Sequence, residues 1–572
     1  VYFVPFVFNV FPPKTVVPDF LFALDSSLKF PHGIIERMDR KQKRVLWVLL
    51  AVSVVYFSVF IFPNNTGAKD RMMISIFEGD EFAQYPVVMR MLEPRDTFKQ
   101  TLLNFIEYEH YYYGSPFYFS SALLLLPVKL AQGLENTQLN MLLLRQFISV
   151  LPMIAALLLL TFTQTRFQSY AKSVALFVFL LAVSAVVENN LWWHVDSLAV
   201  FFAALTFFLL DLDDLRFGRY FYLAAASTGL AAGTKVIGLF FFLAIPAYLL
   251  VGVLRKRLSP RAALLRAAAF VAVMLAAILI SNPFLIFRSE FDRMINLLTR
   301  QSEAMSEGWK LRYAKGPASW LHIIEGLYGQ LIFIALALFA LGLGIWRGEN
   351  RVRHLLIAAW AVPFGSYVLF TIAIKPTHFF LPILLPVFSS LVVLFEFPPF
   401  VPDKPRPPLS LLWGGLAAAI IVYQFSVYVK TDIQLYRDVL TREETEGSFV
   451  FYGVLEKDYL PRIQSDEKLV VFRDVRMYFP EDERWIVRTY WNSNYKTIER
   501  IAPDLIVLWR QRILDYTQEG AQENAVNPES FQDTHQFYVD ADNDQLRGYR
   551  LVYRDEEGLF FVSEAIYEEF LE

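Results

Sequence analysis

Hydrophobic positions in this chain come in long blocks with short polar breaks, the pattern of repeated membrane crossings. Apolar runs lie near 45–62, 143–163, 170–188, 196–212, 219–234, 236–254, 264–283, 326–346, 354–374, 378–396 and 409–428. About 20 mostly apolar residues carry a helix across the hydrocarbon core, so the pattern predicts about 11 spans. Basic loops separate them: Arg166 with Lys172; Arg216 with Arg219; Arg255-Lys256-Arg257 with Arg261 and Arg266; Arg347, Arg351 and Arg353; Lys404 with Arg406. With the amino-terminal flank inside, all of these loops fall inside, as the Lys/Arg bias of cytoplasmic loops requires.

The run Pro116 to Leu130 is shorter and carries Pro127. Counted as a span it would invert every loop after it, so we expect an interfacial helix on the outer side. The outer face then receives a long first loop, 63–142, with helices expected over Glu81–Leu92 and Asp96–Glu107. It also receives the 189–196 turn, a loop at 284–325, the 375–378 turn and the whole tail. Residues 431–572 alternate short strand-like and helical segments. Ser448–Val454, Leu469–Phe472, Leu505–Trp509, Leu551–Tyr553 and Leu559–Val562 read as strands, Tyr495–Ile501 as a helix, and Pro480-Glu481-Asp482 and Asn527-Pro528 as turns. The expected architecture is a polytopic α-helical membrane domain, 38–430, followed by a soluble α/β domain outside the membrane, 431–572. At the other end, residues 1–37 are broken by prolines, whereas Met38 opens a basic flank, Asp39-Arg40-Lys41-Gln42-Lys43-Arg44. That flank predicts Met38 as the start of the membrane chain and 1–37 as an upstream extension, with a genuine interfacial segment as the alternative. Intact mass of the native protein showing residues before Met38 would refute the first reading.

Composition sharpens the picture. Of 572 residues, 55% are hydrophobic and only 19% charged, with a net charge of −3, against about a quarter charged in soluble domains. Residues 431–572 hold 30 Asp/Glu against 16 Lys/Arg, and the rest of the chain 26 against 37, so a basic membrane part precedes an acidic tail. Neither part has the basic, aromatic-interleaved stripe of a nucleic-acid binder. The chain has no cysteine, which excludes disulfides, Cys-ligated metal and thiol catalysis.

Candidate chemistry gathers at the outer ends of the runs. Glu78-Gly79-Asp80-Glu81 opens a helix, where acidic residues also serve the helix dipole; Glu78 reads as solvated. Trp192 and Trp193 fit the interfacial aromatic belt, and His194 and Asp196, two residues apart, do not share a helical face. An ionisable group at the mouth of a span is costly unless it faces a cavity. Arg145, Lys235 and Lys375 are outer cations that break the positive-inside bias, and their physical use is to bind a phosphate or diphosphate at headgroup depth. Histidine spacing matches no metal motif, so no metal ligands are assigned and a divalent metal stays only as the alternative.

Six stretches together resemble the GT-C class of integral-membrane glycosyltransferases, in particular the protein O-mannosyltransferase and lipid A aminoarabinose transferase superfamily. They are Gly79-Asp80-Glu81; Tyr113-Gly114-Ser115-Pro116-Phe117-Tyr118-Phe119; Arg145-Gln146-Phe147-Ile148-Ser149; His194-Val195-Asp196-Ser197-Leu198; Gly229 to Lys235; and Lys375-Pro376-Thr377-His378-Phe379-Phe380-Leu381-Pro382. The resemblance covers roughly 40–430. It departs at His378-Phe379, where the family usually has an aromatic or Arg-Tyr pair. It implies transfer of a sugar, with inversion, from a polyprenyl-phosphate donor to a hydroxyl on a lipid, glycan or protein acceptor at the outer face of a bacterial inner membrane. It further implies Asp80 as base, Glu81 as its positioning helper, His194 and Asp196 orienting sugar or acceptor, and Arg145, Lys235, Lys375 and His378 holding the phosphate, with no cofactor required. The competing expectation is a lipid-linked sugar flippase or transporter, but such proteins tend to show internal repeats and midplane charges, and neither is seen here.

Overall fold

A computed structural model describes residues 38–348, 350–396, 408–465 and 467–571. The expectations for 1–37, and for the basic loop with Lys404 and Arg406, lie outside the described residues. Among the described residues, seven helices are long and apolar enough to cross a membrane: Arg40–Asn64, Thr137–Thr165, Val236–Leu254, Pro260–Ser281, Arg351–Thr371, Thr377–Phe395 and Leu412–Arg462. The pair Pro317–Tyr328 and Leu331–Arg347, bent by 85°, makes an eighth if counted as one span.

The expected count of 11 is thus not confirmed. The three remaining apolar runs do form helices, but none is long and apolar enough to be counted with these, for a visible reason in each. Tyr170–Leu181 has 12 residues and breaks before a separate turn, Ser184–Asn189. Asp196–Asp213 carries Asp196, Asp211 and Asp213, an unusual load of carboxylates for a lipid-facing helix. Arg219–Thr234 has 16 residues and stops where Lys235 turns extended. The last two are buried along much of their length, packed inside a large apolar core with Leu157, Phe207, Phe241 and Trp360. The 116–130 run is one helix, Ser115–Gln132, and is not among the helices long and apolar enough to span.

The long segment between the first two long apolar helices, expected on the outer face, folds around a second core of Tyr85, Tyr108, Tyr111, Phe117, Tyr118, Trp193 and Phe284. Its helices Gly79–Leu92 and Phe98–Ile106 match the expected pair. After the membrane part, helix Pro408–Thr445 runs 38 residues, about 57 Å at 1.5 Å per residue. The expected domain border at 430/431 thus falls inside a continuous helix.

The tail holds a five-stranded sheet of β1 (Leu469–Asp474), β2 (Trp485–Tyr490), β3 (Leu505–Trp509), β4 (Tyr549–Arg554) and β5 (Gly558–Ser563), ordered β2-β1-β3-β5-β4. β1 pairs in parallel with β2 and β3, while β5 pairs antiparallel with β3 and β4. One core lies on each face, around Phe472 and Phe561 and around Val471 and Phe560. Helix Tyr495–Ile501 is as expected, but Ser448–Val454 is part of a helix, Gly447–Val454. Its buried Ser448, Phe451 and Tyr452 fall at i, i+3 and i+4, one helical face, and a short apolar run cannot separate that from a strand. Asn527 caps a helix, Pro528–Asp542, where a turn was expected.

Candidate active site

Five elements far apart in sequence bring their polar residues to one place. Asp80 stands in the first turn of Gly79–Leu92, and Tyr113 precedes helix Ser115–Gln132. His194 and Asp196 lie where the chain enters Asp196–Asp213, and Lys235 follows the end of Arg219–Thr234. His378 sits in a turn, Thr377–Phe380, that opens the next apolar helix.

Asp196 is the centre. Its side chain is 0% exposed, and the Lys235 ammonium donates to both carboxylate oxygens at 2.9 and 2.8 Å. His194 Nδ1 lies against Asp196 Oδ2, and His378 Nε2 is 3.4 Å from the same oxygen. A buried carboxylate is tolerable only when neutralised in this way. His194 and Asp196 meet without sharing a helical face, because residues 191–195 are irregular and let the imidazole fold back on the helix start. Aromatic rings wall the cluster: Trp192 stacks on His194 at 4.3 Å between centroids, and His378 lies tilted against His194 at 4.4 Å. Lys235 also lies over Phe379 at 4.8 Å.

Asp80 sits above this cluster and is its open end, with 48% of its side chain exposed. Tyr113 Oη donates to Asp80 Oδ2 at 3.4 Å and is 3.0 Å from His194 Nε2, which lies 3.6 Å from Asp80. Desolvation opposes the charge on Asp80. The hydrogen bond and positive charge of His194, with His378 and Lys235 behind, outweigh it and hold the carboxyl below the usual carboxylate range. Burial likewise opposes an imidazolium at His194, but the charge and hydrogen bond of Asp196, joined by Asp80, raise its pKa.

Tyr113 was not singled out from the sequence. The local signal is the glycine after it. Gly114 N–H donates to Thr234 O at 2.9 Å, and a Cβ on Gly114 would stand 1.5 Å from Gly233 O. Only glycine lets the two backbones cross this closely, which sets Tyr113 and Lys235 side by side.

Glu81 and Arg145 take roles other than those expected. Arg145 Nε and Nη2 grip the Glu81 carboxylate at 2.8 and 2.5 Å, with both side chains 0% exposed. Arg145 Nη1 donates to Asn64 O and Thr66 O at 3.0 and 2.8 Å, and Trp193 N–H donates to Glu81 Oε1 at 2.5 Å. With its donors committed inside the protein, Arg145 is not placed to hold a phosphate, and Glu81 touches no reacting position. Their pair instead ties the Asp80 helix to residues 64–66 and to the backbone next to His194. A π-helical turn, Arg145–Val150, carries this arginine together with Ser149, whose Oγ accepts His194 N–H at 3.0 Å.

Lys375 is also elsewhere. Its ammonium donates to Ala314 O at 2.7 Å and to Ala373 O, and lies over the Trp320 ring, so it seals the end of a helix rather than joining the cluster. Trp193 is no belt residue: it is buried, stacks on Phe117 at 4.9 Å and donates to Ser121 Oγ. Glu78 is no solvated bystander either. Its carboxylate accepts Asp80 N–H at 3.3 Å, and burial, then the charges of Asp80 and Glu81, push its pKa up to about 8.

His194, Asp196 and His378 offer three ligand atoms within 4.8 Å of one another, a set that could hold a metal ion. Lys235 already occupies both oxygens of Asp196, however, and a divalent cation there would meet a fixed positive charge.

No family model matches the chain, and no curated protein matches it. Among solved structures, it is similar to ArnT from Cupriavidus metallidurans in the apo state, with a TM-score of 0.52 and 12% identity over 91% of this chain and 98% of that one. ArnT bound to undecaprenyl phosphate gives a TM-score of 0.48 at 11% identity over the same shares. The oligosaccharyltransferase AglB from Archaeoglobus fulgidus, in complex with an inhibitory peptide and a dolichol-phosphate, gives 0.45 at 13%, over 85% of this chain and 72% of that one. The likeness to apo ArnT extends over nearly the whole of both chains, and the protein has the GT-C membrane fold that its sequence motifs led us to expect.

Proposed function

We propose that the protein is an inverting glycosyltransferase that moves a sugar from a polyprenyl-phosphate donor to a hydroxyl acceptor at the outer face of the membrane. One observation carries this reading: a half-exposed carboxylate, Asp80, set beside a buried cluster in which one carboxylate is surrounded by the Lys235 ammonium and two imidazoles. As the acceptor oxygen bonds to the anomeric carbon, the bond from that carbon to the phosphate oxygen breaks, and the acceptor proton passes to Asp80. A carboxylate kept ionised and within hydrogen-bond reach suits that task. The departing lipid phosphate gains negative charge, which preplaced cations stabilise without reorganising. Lys235, as the cation, and His378, as a hydrogen-bond donor, are the groups we assign to it; both are buried at the cluster, and His194 with Asp196 orients them. The acceptor can be a lipid, a glycan or a protein hydroxyl, and the outer-face direction rests on the basic inner loops.

The test is transfer by purified protein from a labelled polyprenyl-phosphate sugar. Wild type should move label to acceptor and Asp80→Asn should fall by at least about 100-fold, the range of a lost general base. Full transfer by Asp80→Asn would refute the assigned base. Label that crosses the bilayer without changing carrier would refute the transferase reading altogether.

A further inference from the structure

Among the described residues, the tail contributes none to the cluster around Asp196, yet it grips the segment that carries Asp80 at two points. The first point precedes Glu78. Arg476 Nη1 donates to Ile76 O at 2.6 Å and to Phe77 O at 3.4 Å, the carbonyls left open at the end of helix Arg71–Phe77. The second follows Glu78. The Trp491 ring abuts Gly79 so closely that a Cβ there would stand 2.3 Å from it.

Both points hang on one buried carboxylate of the tail. Asp474, at the end of β1, is 0% exposed; its Oδ1 accepts Arg476 N–H at 3.1 Å, and its Oδ2 lies 3.5 Å from Arg512 Nε. Arg512 Nη1 in turn donates to Trp491 O at 2.6 Å. The neighbouring Arg473, also fully buried, anchors the grip: it donates to Ser75 Oγ at 2.7 Å and Met477 O at 2.5 Å, and Ser75 Oγ donates to Val475 O at 2.9 Å. Tyr478 Oη adds a bond to Asp70, the cap of helix Arg71–Phe77, at 2.8 Å. A soluble domain merely covering the site would need none of these buried charged contacts with residues 70–79.

We propose that Arg476 and Trp491 are positioning residues for Asp80, forming a clamp organised by Asp474 through which the tail domain sets the geometry of the active site. The activity arm rests on the reaction proposed above. Without the clamp, Glu78 loses both of its fixed neighbours and the Asp80 carboxylate loses its bearing on Tyr113 and His194. A misplacement of about 1 Å can cost 10²-fold in rate.

The experiment compares full-length wild type, Arg476→Ala, Arg476→Lys and Trp491→Ala in lipid nanodiscs, by hydrogen–deuterium exchange and by labelled-sugar transfer. We expect faster exchange over residues 71–92 in Arg476→Ala and Trp491→Ala, with strands β3 and β5 as protected as in wild type. We expect kcat to fall roughly 10- to 100-fold with little change in donor KM, and Arg476→Lys, which keeps a cationic donor, to recover most of the rate. Unchanged exchange over 71–92 overturns the clamp. So does faster exchange with undiminished kcat, because the segment would then be ordered without consequence for catalysis. A rise in donor KM at constant kcat also overturns it, by making the residues direct substrate contacts. If wild type itself transfers no sugar, the reading of the reaction fails, and the exchange result alone decides whether the tail orders the Asp80 segment.

Discussion

The buried Glu81–Arg145 pair can be tested by a double-mutant cycle whose outcome the geometry dictates. Arg145→Met removes four hydrogen bonds: two to Glu81, one to Asn64 O and one to Thr66 O. It leaves a carboxylate with no exposed surface supported only by Trp193 N–H. Stranding one member of a buried pair costs about 3–5 kcal/mol. Glu81→Gln should cost nearly as much, because the guanidinium is then unpaired although its two carbonyl bonds survive. The double variant Glu81→Gln/Arg145→Met carries no buried charge, and the glutamine carbonyl can still accept from Trp193. Its expected cost is only that of the two abandoned carbonyls, roughly 1–3 kcal/mol each at most. The coupling should therefore exceed about 2 kcal/mol. Equilibrium unfolding in mixed micelles, followed by circular dichroism, gives the four free energies. Costs that add to within about 0.5 kcal/mol, the behaviour of independent sites, would refute the assignment of this pair as the strut of the site.

Three further outcomes follow from individual contacts. Glu78 is raised to about 8 by burial and by the neighbouring Asp80 and Glu81 charges, so the folded protein binds its proton more tightly than the unfolded chain does. Stability from this group is full below the ordinary glutamate pKa and is lost as pH rises toward 8; Glu78→Gln should flatten a melting-temperature profile across that window, and an unchanged slope would count against the shift. Gly114→Ala places a methyl 1.5 Å from Gly233 O, which must part the two backbones and should reduce transfer by at least about 10²-fold while the protein stays folded by circular dichroism; normal kinetics would show that Tyr113 and Lys235 need not adjoin. With Lys235 on both oxygens of Asp196, chelators should leave wild-type transfer unchanged, whereas Lys235→Met should acquire Zn²⁺ binding at His194, Asp196 and His378, measured by calorimetry; micromolar Zn²⁺ binding by wild type would overturn this order of preference.

Hydropathy located the long apolar helices because lipid permits few alternatives, but not the polar helix Arg288–Glu307, which lies where a loop was expected; the tail strands β3 and β5 were legible because their continuous apolar runs are short and bounded. What hydropathy could not supply was the environment of each run. Asp196–Asp213 reads as a span until its three carboxylates are given partners within the bundle. The bend of 85° between Pro317–Tyr328 and Leu331–Arg347 is likewise a matter of packing. Strand β2 was missed because Trp485–Tyr490 alternates only weakly and owes its place to β1.

The site was legible to the degree that its residues are chemically improbable where they stand. Lys235 and Asp196, charges at the mouths of apolar helices, announce themselves, and the structure brings them to 2.8 Å. Glu81 and Arg145 are equally improbable, but the sequence cannot say that they satisfy each other across 64 positions. Pairing decides role. Where charges cancel completely, as in Glu81–Arg145, nothing is left to act on a substrate and the pair becomes scaffold. Around Asp196 one carboxylate faces an ammonium and two imidazoles, so the cluster holds more capacity for positive charge than it neutralises internally. His194, with Lys235 behind it, draws Asp80 toward ionisation from one side, and in the proposed reaction the same charge would meet a lipid phosphate from the other. In the proposed reaction a half-exposed carboxylate beside a positively charged cluster keeps proton acceptance apart from leaving-group stabilisation, and the chain builds it by burying Glu81 and Asp196 against partners of their own.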